Sequence, residues 1–262
     1  MFLALTGFLT PASGFDPDAL TYFAVSGITD TTEKDAVNQL VLDLKGTGST
    51  TNNTDVWSDL LAVYPISPTS LDASKYNLKD PSSYKITWFN SPTHASTGVT
   101  GDGSTSYGDS GFATNLFSAF SYGYTISTSN MGNLRQIGTN AIIGFYQVSG
   151  TNMRLYSGPN ANYPVFNPNY SGGKKVLTGI KRAANDKEAY VNGVSTATNT
   201  VADAGDGRNT KTFYWLARNN GASAGSYTIG EMDFGAFHNA LTDNQAQDLY
   251  DAITTYNTAL SR

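Results

Sequence analysis

Residues Thr212–Phe237, TFYWLARNNGASAGSYTIGEMDFGAF, constrain the fold more than any other stretch. They read as two strands joined by a Gly/Ser/Asn loop, and alternation sorts each strand onto two faces. Phe213, Trp215 and Ala217 share one side, with Tyr214, Leu216 and Arg218 on the other. In the second run Met232 and Phe234 share a side, opposite Ile229, Glu231 and Asp233. A hairpin centred near Ala222–Ser223 sets Tyr214 across from Glu231 and brings Phe213 and Trp215 to the Met232 and Phe234 side. The expectation is a ribbon with its rings turned inward against a facing sheet and its acids outside.

From about Tyr84 the chain repeats this grammar. Short aromatic and β-branched runs (KITWF, FSAFSYGYTIS, AIIGFYQV, NMRLYSG, KKVLTGIKRA, KEAYVNGVS) alternate with Gly, Ser, Asn and Pro. Such spacing predicts an antiparallel β-sandwich or jelly roll, not βαβ units. Asn192-Gly193 after a strand-like run is a hairpin signal. Ahead of this region, Met1–Leu9 is a short apolar arm or first strand. Asp30 and Glu33 stand at capping-box spacing before the stripe Val37, Leu40, Val41 and Leu44, which predicts a helix stopped by Gly46. Trp57, Leu60, Leu61 and Tyr64 suggest a second short helix ending at Pro65. After Phe237, Thr242 and Gln245 form another capping box, before the stripe Ala246, Leu249, Tyr250, Ile253 and Tyr256. These helices cannot bury their stripes alone and should cover a sheet face or edge. The division read from this pattern is an arm and helical lead-in over 1–75, then a sandwich with a terminal helix over 76–262.

Composition limits the function classes. Only 14% of the 262 residues are charged, net charge is −5, and no basic run gives nucleic acid or an anionic membrane an electrostatic footprint. With no cysteine there are no disulfides or thiolate metal sites. Met1–Leu9 lacks a basic n-region, which makes it a poor signal peptide, and it is too short to span a bilayer.

The order of these signals resembles the concanavalin A-like lectin/glucanase (laminin-G-like) proteins of tailed bacteriophages. The likeness rests on GITDTTEKDAVNQLVLDLKGTG with VWSDLLAVYPI, on KYNLKDPSSYKITWFNSPTHASTGVTGDGSTSYGDSGF, on EAYVNGV, and on YTIGEMDFGAFHNALTDNQAQDLYDAI. The polar insertion GSTTNNTD departs from the pattern. The resemblance implies a two-sheet jelly roll, a glycan-binding or particle-surface role, and commonly no enzymatic activity.

Several motifs carry candidate chemistry. In the same superfamily, retaining glucanases align a nucleophile, a helper Asp and an acid/base on alternate positions of one strand. Glu231 and Asp233 fit the first two places, but Gly235 or Ala236 stands where the acid/base belongs, so no proton donor is supplied. Gly108-Asp109-Ser110-Gly111 imitates a serine-protease loop and suits a tight turn better, since only His94 and His238 could serve as base. Two distant histidines make no zinc site. Calcium, common in laminin-G-like domains, could draw on Asp102 and Asp109 in one loop, or Asp203 and Asp206 in another. Sugar binding asks for flat rings beside planar hydrogen-bonding groups. Residues Tyr156–Tyr170 offer these, with Tyr156, Asn160, Asn162 and Tyr163 as contacts, alongside Tyr214, Arg218, Glu231 and Asp233. Trp57 and Trp215 read as core, and Trp88 as ambiguous.

The sequence therefore leads to a non-enzymatic virion surface protein without a cofactor: a fibre, decoration or tail-associated component holding cell-surface glycans or neighbouring virion proteins. The alternatives are a glucanase-type glycoside hydrolase using Glu231 and a secreted bacterial carbohydrate-binding module.

Overall fold

The computed structural model describes residues 14–130, 136–139, 143–149, 152–158, 163–168, 173–221 and 223–262. Two sheets stack face to face, and three helices cover the outer side of one of them. The covered sheet comprises β1 (Leu60–Pro65), β3 (Thr93–Ala95), β4 (Gly98–Thr100), β6 (Tyr122–Asn130), β11 (Lys175–Ala183), β12 (Asp186–Val191), β13 (Val194–Asn199) and β17 (Glu231–His238). Its order is β13-β12-β11-β6-β17-β4-β3, with β1 also paired to β17. The open sheet comprises β2 (Thr87–Phe89), β5 (Tyr107–Ala113), β7 (Gln136–Thr139), β8 (Ile143–Ser149), β9 (Asn152–Ser157), β10 (Val165–Phe166), β14 (Thr212–Trp215), β15 (Arg218–Asn219) and β16 (Ala224–Gly225). Its main path runs β10-β9-β8-β7-β14-β5-β2. Apart from β15 on β7, the strand pairs are antiparallel. The mainly-β sandwich with helices at both ends of the chain is the architecture the sequence predicts.

Two apolar layers hold these parts. Between the sheets, Phe213 and Trp215 meet Tyr64, Tyr124, Met232 and Phe237. Trp215 stacks on Phe237 with ring centroids 5.1 Å apart. Gly235 permits this approach, because a Cβ there would fall 2.7 Å from the indole. Behind the covered sheet, α1 (Pro17–Ser26), α2 (Thr31–Leu44) and α3 (Asp243–Ala259) pack their stripes on Val176, Ile180, Tyr190, Phe234 and Ala236. Asp30 accepts the Glu33 amide at the start of α2, and Thr242 and Gln245 exchange both capping-box bonds at the start of α3. Asn192 (φ 54°) and Gly193 (φ 75°) take the left-handed conformations of a two-residue hairpin loop between β12 and β13.

Several expectations are corrected. The stretch 212–237 is not one hairpin. β14 pairs with β5 and β7 in the open sheet, and β17 pairs with β1, β4 and β6 in the covered one. Tyr214 and Glu231 therefore lie in different sheets. Nor do Met232 and Phe234 share a face. A bulge between them inserts Asp233, so Met232 enters the inter-sheet core while Phe234 turns to the helices. Leu216, at φ 65°, sits at a sharp turn that carries it into the core. Trp57–Asp59 forms only a 3₁₀ turn, and Leu60–Pro65 is strand β1, so the segment before residue 76 contributes to the sheet. The sequence reading passed over α1, which Asp16 caps and Pro17 opens. Met1–Leu9 lies outside the described residues.

His238 gives this architecture a measurable pH dependence. Its Nε2 meets the Thr125 hydroxyl at 3.1 Å and its Nδ1 meets the Asn239 carbonyl at 2.7 Å. Burial pulls the imidazole down to about 4, against the opposing pull of that carbonyl. Between pH 6.5 and 4 the unfolded chain then binds the proton that the folded one refuses, so stability falls as pH falls through that window. The loss is about 3 kcal/mol by pH 4. Urea unfolding at pH 7, 5 and 4 should show His238→Gln losing less stability over this range than the parent chain.

Candidate functional site

Because the helices occupy the outer side of the covered sheet, the outer side of the open sheet is where this fold can present side chains. Along β5, Gly108, Ser110 and Phe112 turn inward and are buried, so Tyr107 and Asp109 lie outward. Along β14, Phe213 and Trp215 fill the core and Tyr214 lies outward. Pairing brings Phe89 beside Tyr107, and Thr87 and Tyr214 to either side of Asp109. The result is a row of rings across three strands. Phe89 stacks on Tyr107 and Tyr107 on Tyr214, both at 4.7 Å between centroids, with interplanar angles of 11° and 28°. Tyr227 joins from its loop, 6.3 Å from Tyr107. Phe89 faces Tyr107 directly across the strands, while Tyr214, whose partner is Asp109, leans diagonally onto Tyr107. Phe89, on edge strand β2 and 39% exposed, ends the row.

The row carries one uncompensated carboxylate. Asp109 accepts the Gly111 amide through one oxygen and makes no ion pair among the described residues. Burial, then the Asp109 charge, pushes the Tyr214 hydroxyl up to about 12, so it remains a hydrogen-bond donor at neutral pH. Beside β2 lies a cavity of about 490 Å³ lined by Leu71, Asp72, Lys75, Ile86, Thr87 and Trp88. The Trp88 indole Nε1 is itself buried, without a hydrogen-bond partner among the described residues. An aromatic side chain beside a rim that carries both Asp72 and Lys75 is a lining suited to a polyhydroxylated ligand.

The predicted contact residues divide between the sheets. Tyr214 belongs to the row. Tyr156 on β9 and Tyr163 lie at the other end of the open sheet, in ring contact at 4.1 Å. Asn160 and Asn162 are outside the described residues. Arg218, on β15, has its Nε buried without a partner. Glu231 and Asp233 are in the covered sheet. There Lys174 Nζ lies 3.2 Å from Glu231 and 2.8 Å from Asp233, while Thr97 donates to Glu231 and Asn257 to Asp233. Phe89, Tyr107 and Tyr227 were missed. Alternation in KITWF and SYGDSGF is the signal that could have set the first two outward, but nothing in the sequence pairs their strands with β14.

The other candidate motifs acquire structural work. GDSG is not a turn. It runs within β5, where Gly111 at φ 66° takes up a bulge, and Ser110 is buried donating to the Phe213 carbonyl. Asp102 accepts the amides of Ser104, Thr105 and Ser106, which hold its carboxyl well below the usual range. Asp206 pairs with Arg208 at 2.8 Å. Asp203 is buried between two buried lysines, 2.6 Å from Lys181 and 2.8 Å from Lys187. Among the described residues no three His, Cys, Asp or Glu side chains form a metal cluster.

No family model matches the chain, and no curated protein matches it. Solved structures do. A Trypanosoma rangeli sialidase mutant displaying trans-sialidase activity matches with TM-score 0.55 at 11% identity, covering 86% of this chain and 38% of that one. The T. rangeli sialidase with 2,3-difluorosialic acid, a covalent intermediate, matches with TM-score 0.51 at 11% identity, covering 74% and 32%. Domain 4 of a GH43 extracellular arabinanase from Geobacillus stearothermophilus, in complex with arabinotriose, covers 73% and 98% at 15% identity. Its TM-score of 0.44 is too low to bear weight. The chain thus spans less than two fifths of the sialidases it matches. These likenesses establish the β-sandwich and bring no bacteriophage or concanavalin A-like family. They also correct the expectation of a chain without enzymatic activity, because the fold is shared with glycoside hydrolases.

The Asp203 arrangement makes a sharp test of the packing. Asp203→Ala leaves two buried ammonium groups without their carboxylate, which should cost about 3–5 kcal/mol in urea unfolding. Asp102→Ala, at an exposed turn, should cost far less.

Proposed function

We propose that this chain is a carbohydrate-recognition domain that takes a glycan on the outer side of its open sheet, at the β2-β5-β14 end. The observation that carries the reading is the stacked row Phe89–Tyr107–Tyr214, with Asp109 set into it and the Trp88 cavity alongside. Asp109 and the tyrosine hydroxyls supply acceptors and donors for sugar hydroxyls. The free face of Phe89 supplies an apolar surface for a pyranose, and the Trp88 side chain lines the cavity beside it. The likeness to sialidases agrees with a carbohydrate ligand. A virion surface, with neighbouring virion proteins as further partners, rests on the sequence resemblance alone. A secreted bacterial module fits the same site.

One observation favours hydrolysis as a second reading. Glu231 and Asp233 both reach Lys174 Nζ, so their carboxyl groups lie within about 6 Å of each other, near the separation retaining glycosidases use. Lys174 bridges the two groups and the Asp233 side chain is fully buried, so general-acid work there requires that ammonium to withdraw and the site to open.

Two assays separate the readings. On a glycan array, Tyr214→Ala and Phe89→Ala should each weaken the strongest signals about tenfold, equivalent to the roughly 1.4 kcal/mol of one lost ring contact. Unchanged binding in both variants would rule out this face. Hydrolysis predicts reducing-sugar release that Glu231→Gln abolishes and the ring variants leave intact at saturating substrate.

A further inference from the structure

The chain's charges are segregated along the sequence. Between Asp109 and Asp186 there is no Asp or Glu, yet Arg135, Arg154, Lys174, Lys175, Lys181 and Arg182 all fall there, in a protein of net charge −5. This segment builds β6 through β11, including the far end of the open sheet. Carboxylates from outside the segment neutralise part of it: Glu231 and Asp233 meet Lys174, Asp203 meets Lys181, and Glu188 and Asp243 meet Arg182. Asp203 is already shared with Lys187, so one buried carboxylate serves two buried ammonium groups.

Arg154 receives none of this compensation. It makes no ion pair among the described residues. Met153 and Leu155 fill the inter-sheet core on either side of it, so Arg154 and Tyr156 turn to the outer side of β9, where Tyr156 is itself buried and Arg154 is half-buried. Tyr146 is its cross-strand partner on β8. Tyr156 meets Tyr146 edge-on at 5.6 Å and Tyr163 at 4.1 Å. The Lys181 ammonium donates to the Ser157 carbonyl, which fixes the overcharged triad directly behind this patch. Here Lys181 and Lys187 share Asp203, the nearby Asp206 is paired with Arg208, and Arg154 adds a further cation, whereas Asp109 makes no ion pair at the other end of the same face. The two ends share one row of the ladder, Tyr156–Gly144–Gly138–Tyr214. The two positions between the tyrosines therefore carry no side chain, over three strand spacings of about 14 Å in all.

We propose that the patch of Tyr146, Arg154, Tyr156 and Tyr163 is a subsite for an anionic substituent, a carboxylate or a sulfate, of a glycan lying across the open sheet. The inference rests on the carbohydrate-recognition reading and adds the charge class of the ligand. Arg154 offers a planar, two-pronged donor to either anion. The surplus charge behind it raises the local potential without being reached by the ligand.

Calorimetric titrations with matched pairs of oligosaccharides test it: an oligogalacturonate against its methyl ester, and a sulfated galactan oligosaccharide against its unsulfated parent. At low salt the charged member of at least one pair should bind about tenfold more tightly, with the preference shrinking as sodium chloride is added. The pair that shows it identifies the anion. Arg154→Gln should remove the preference, bringing the charged member's affinity down to that of its neutral counterpart. Tyr214→Ala should weaken both members and keep their ratio. Equal affinities within both pairs, or a preference that survives in Arg154→Gln, would overturn the subsite while leaving glycan recognition intact. Absence of binding to every oligosaccharide, on the array as well, would remove the carbohydrate reading itself.

Discussion

Strand β17 has no solvent face, and much of the fold follows from that. One side meets the rings between the sheets and the other meets the helices, so the run Met232–His238 is buried throughout. A strand in that position must be apolar or internally satisfied on both sides. Asp233 complies by entering at a bulge, where Lys174 and Asn257 meet its carboxylate. His238 complies by remaining neutral between Thr125 and Asn239. Gly235 complies by leaving room for Trp215. Burying three such residues in a central strand commits the covered sheet to structure and leaves the other sheet to present side chains.

What could be read from the sequence follows the range of the interaction involved. Helix caps and the Asn192-Gly193 hairpin are settled by neighbours within a few residues, and these signals located α2, α3 and the β12–β13 turn. Alternation is also local, and it placed Phe213 and Trp215 inward and Tyr214 outward. Which strands lie side by side is decided across the whole chain. Tyr214 finds Tyr107, more than a hundred residues earlier, because β14 inserts between β5 and β7. No turn signal records that. The assumption that a loop joins neighbouring strands placed Glu231 beside Tyr214, and the bulge at Asp233 then broke the alternation on which the facing of the acids depended. Of the candidate face, Tyr214 was therefore legible as an outward-facing contact, and its assembly with Phe89, Tyr107 and Asp109 into one row was not.

Electrostatics divides the molecule in a related way. Acids on β12 and β17, in the loop at Asp203 and at the start of α3 reach across to neutralise a central segment that has none of its own. The compensation is consumed inside the fold or around the helices. The outer side of the open sheet is left with opposite local charges at its two ends: Asp109 among the stacked rings, and Arg154 among the tyrosines of β8 and β9.

The ring row has a thermodynamic consequence. Phe89 and Tyr107 are held side by side by direct cross-strand pairing, and Tyr214 leans diagonally onto Tyr107 from the next strand, so the three rings brace one another. Each ring is clamped by the next, and the rotamer entropy that a pliant surface surrenders on meeting its ligand has been surrendered here at folding. Such a comb does not mould itself to its guest. It selects partners whose hydroxyls already match its teeth, and discrimination at this surface comes from rigid pitch more than from breadth of contact.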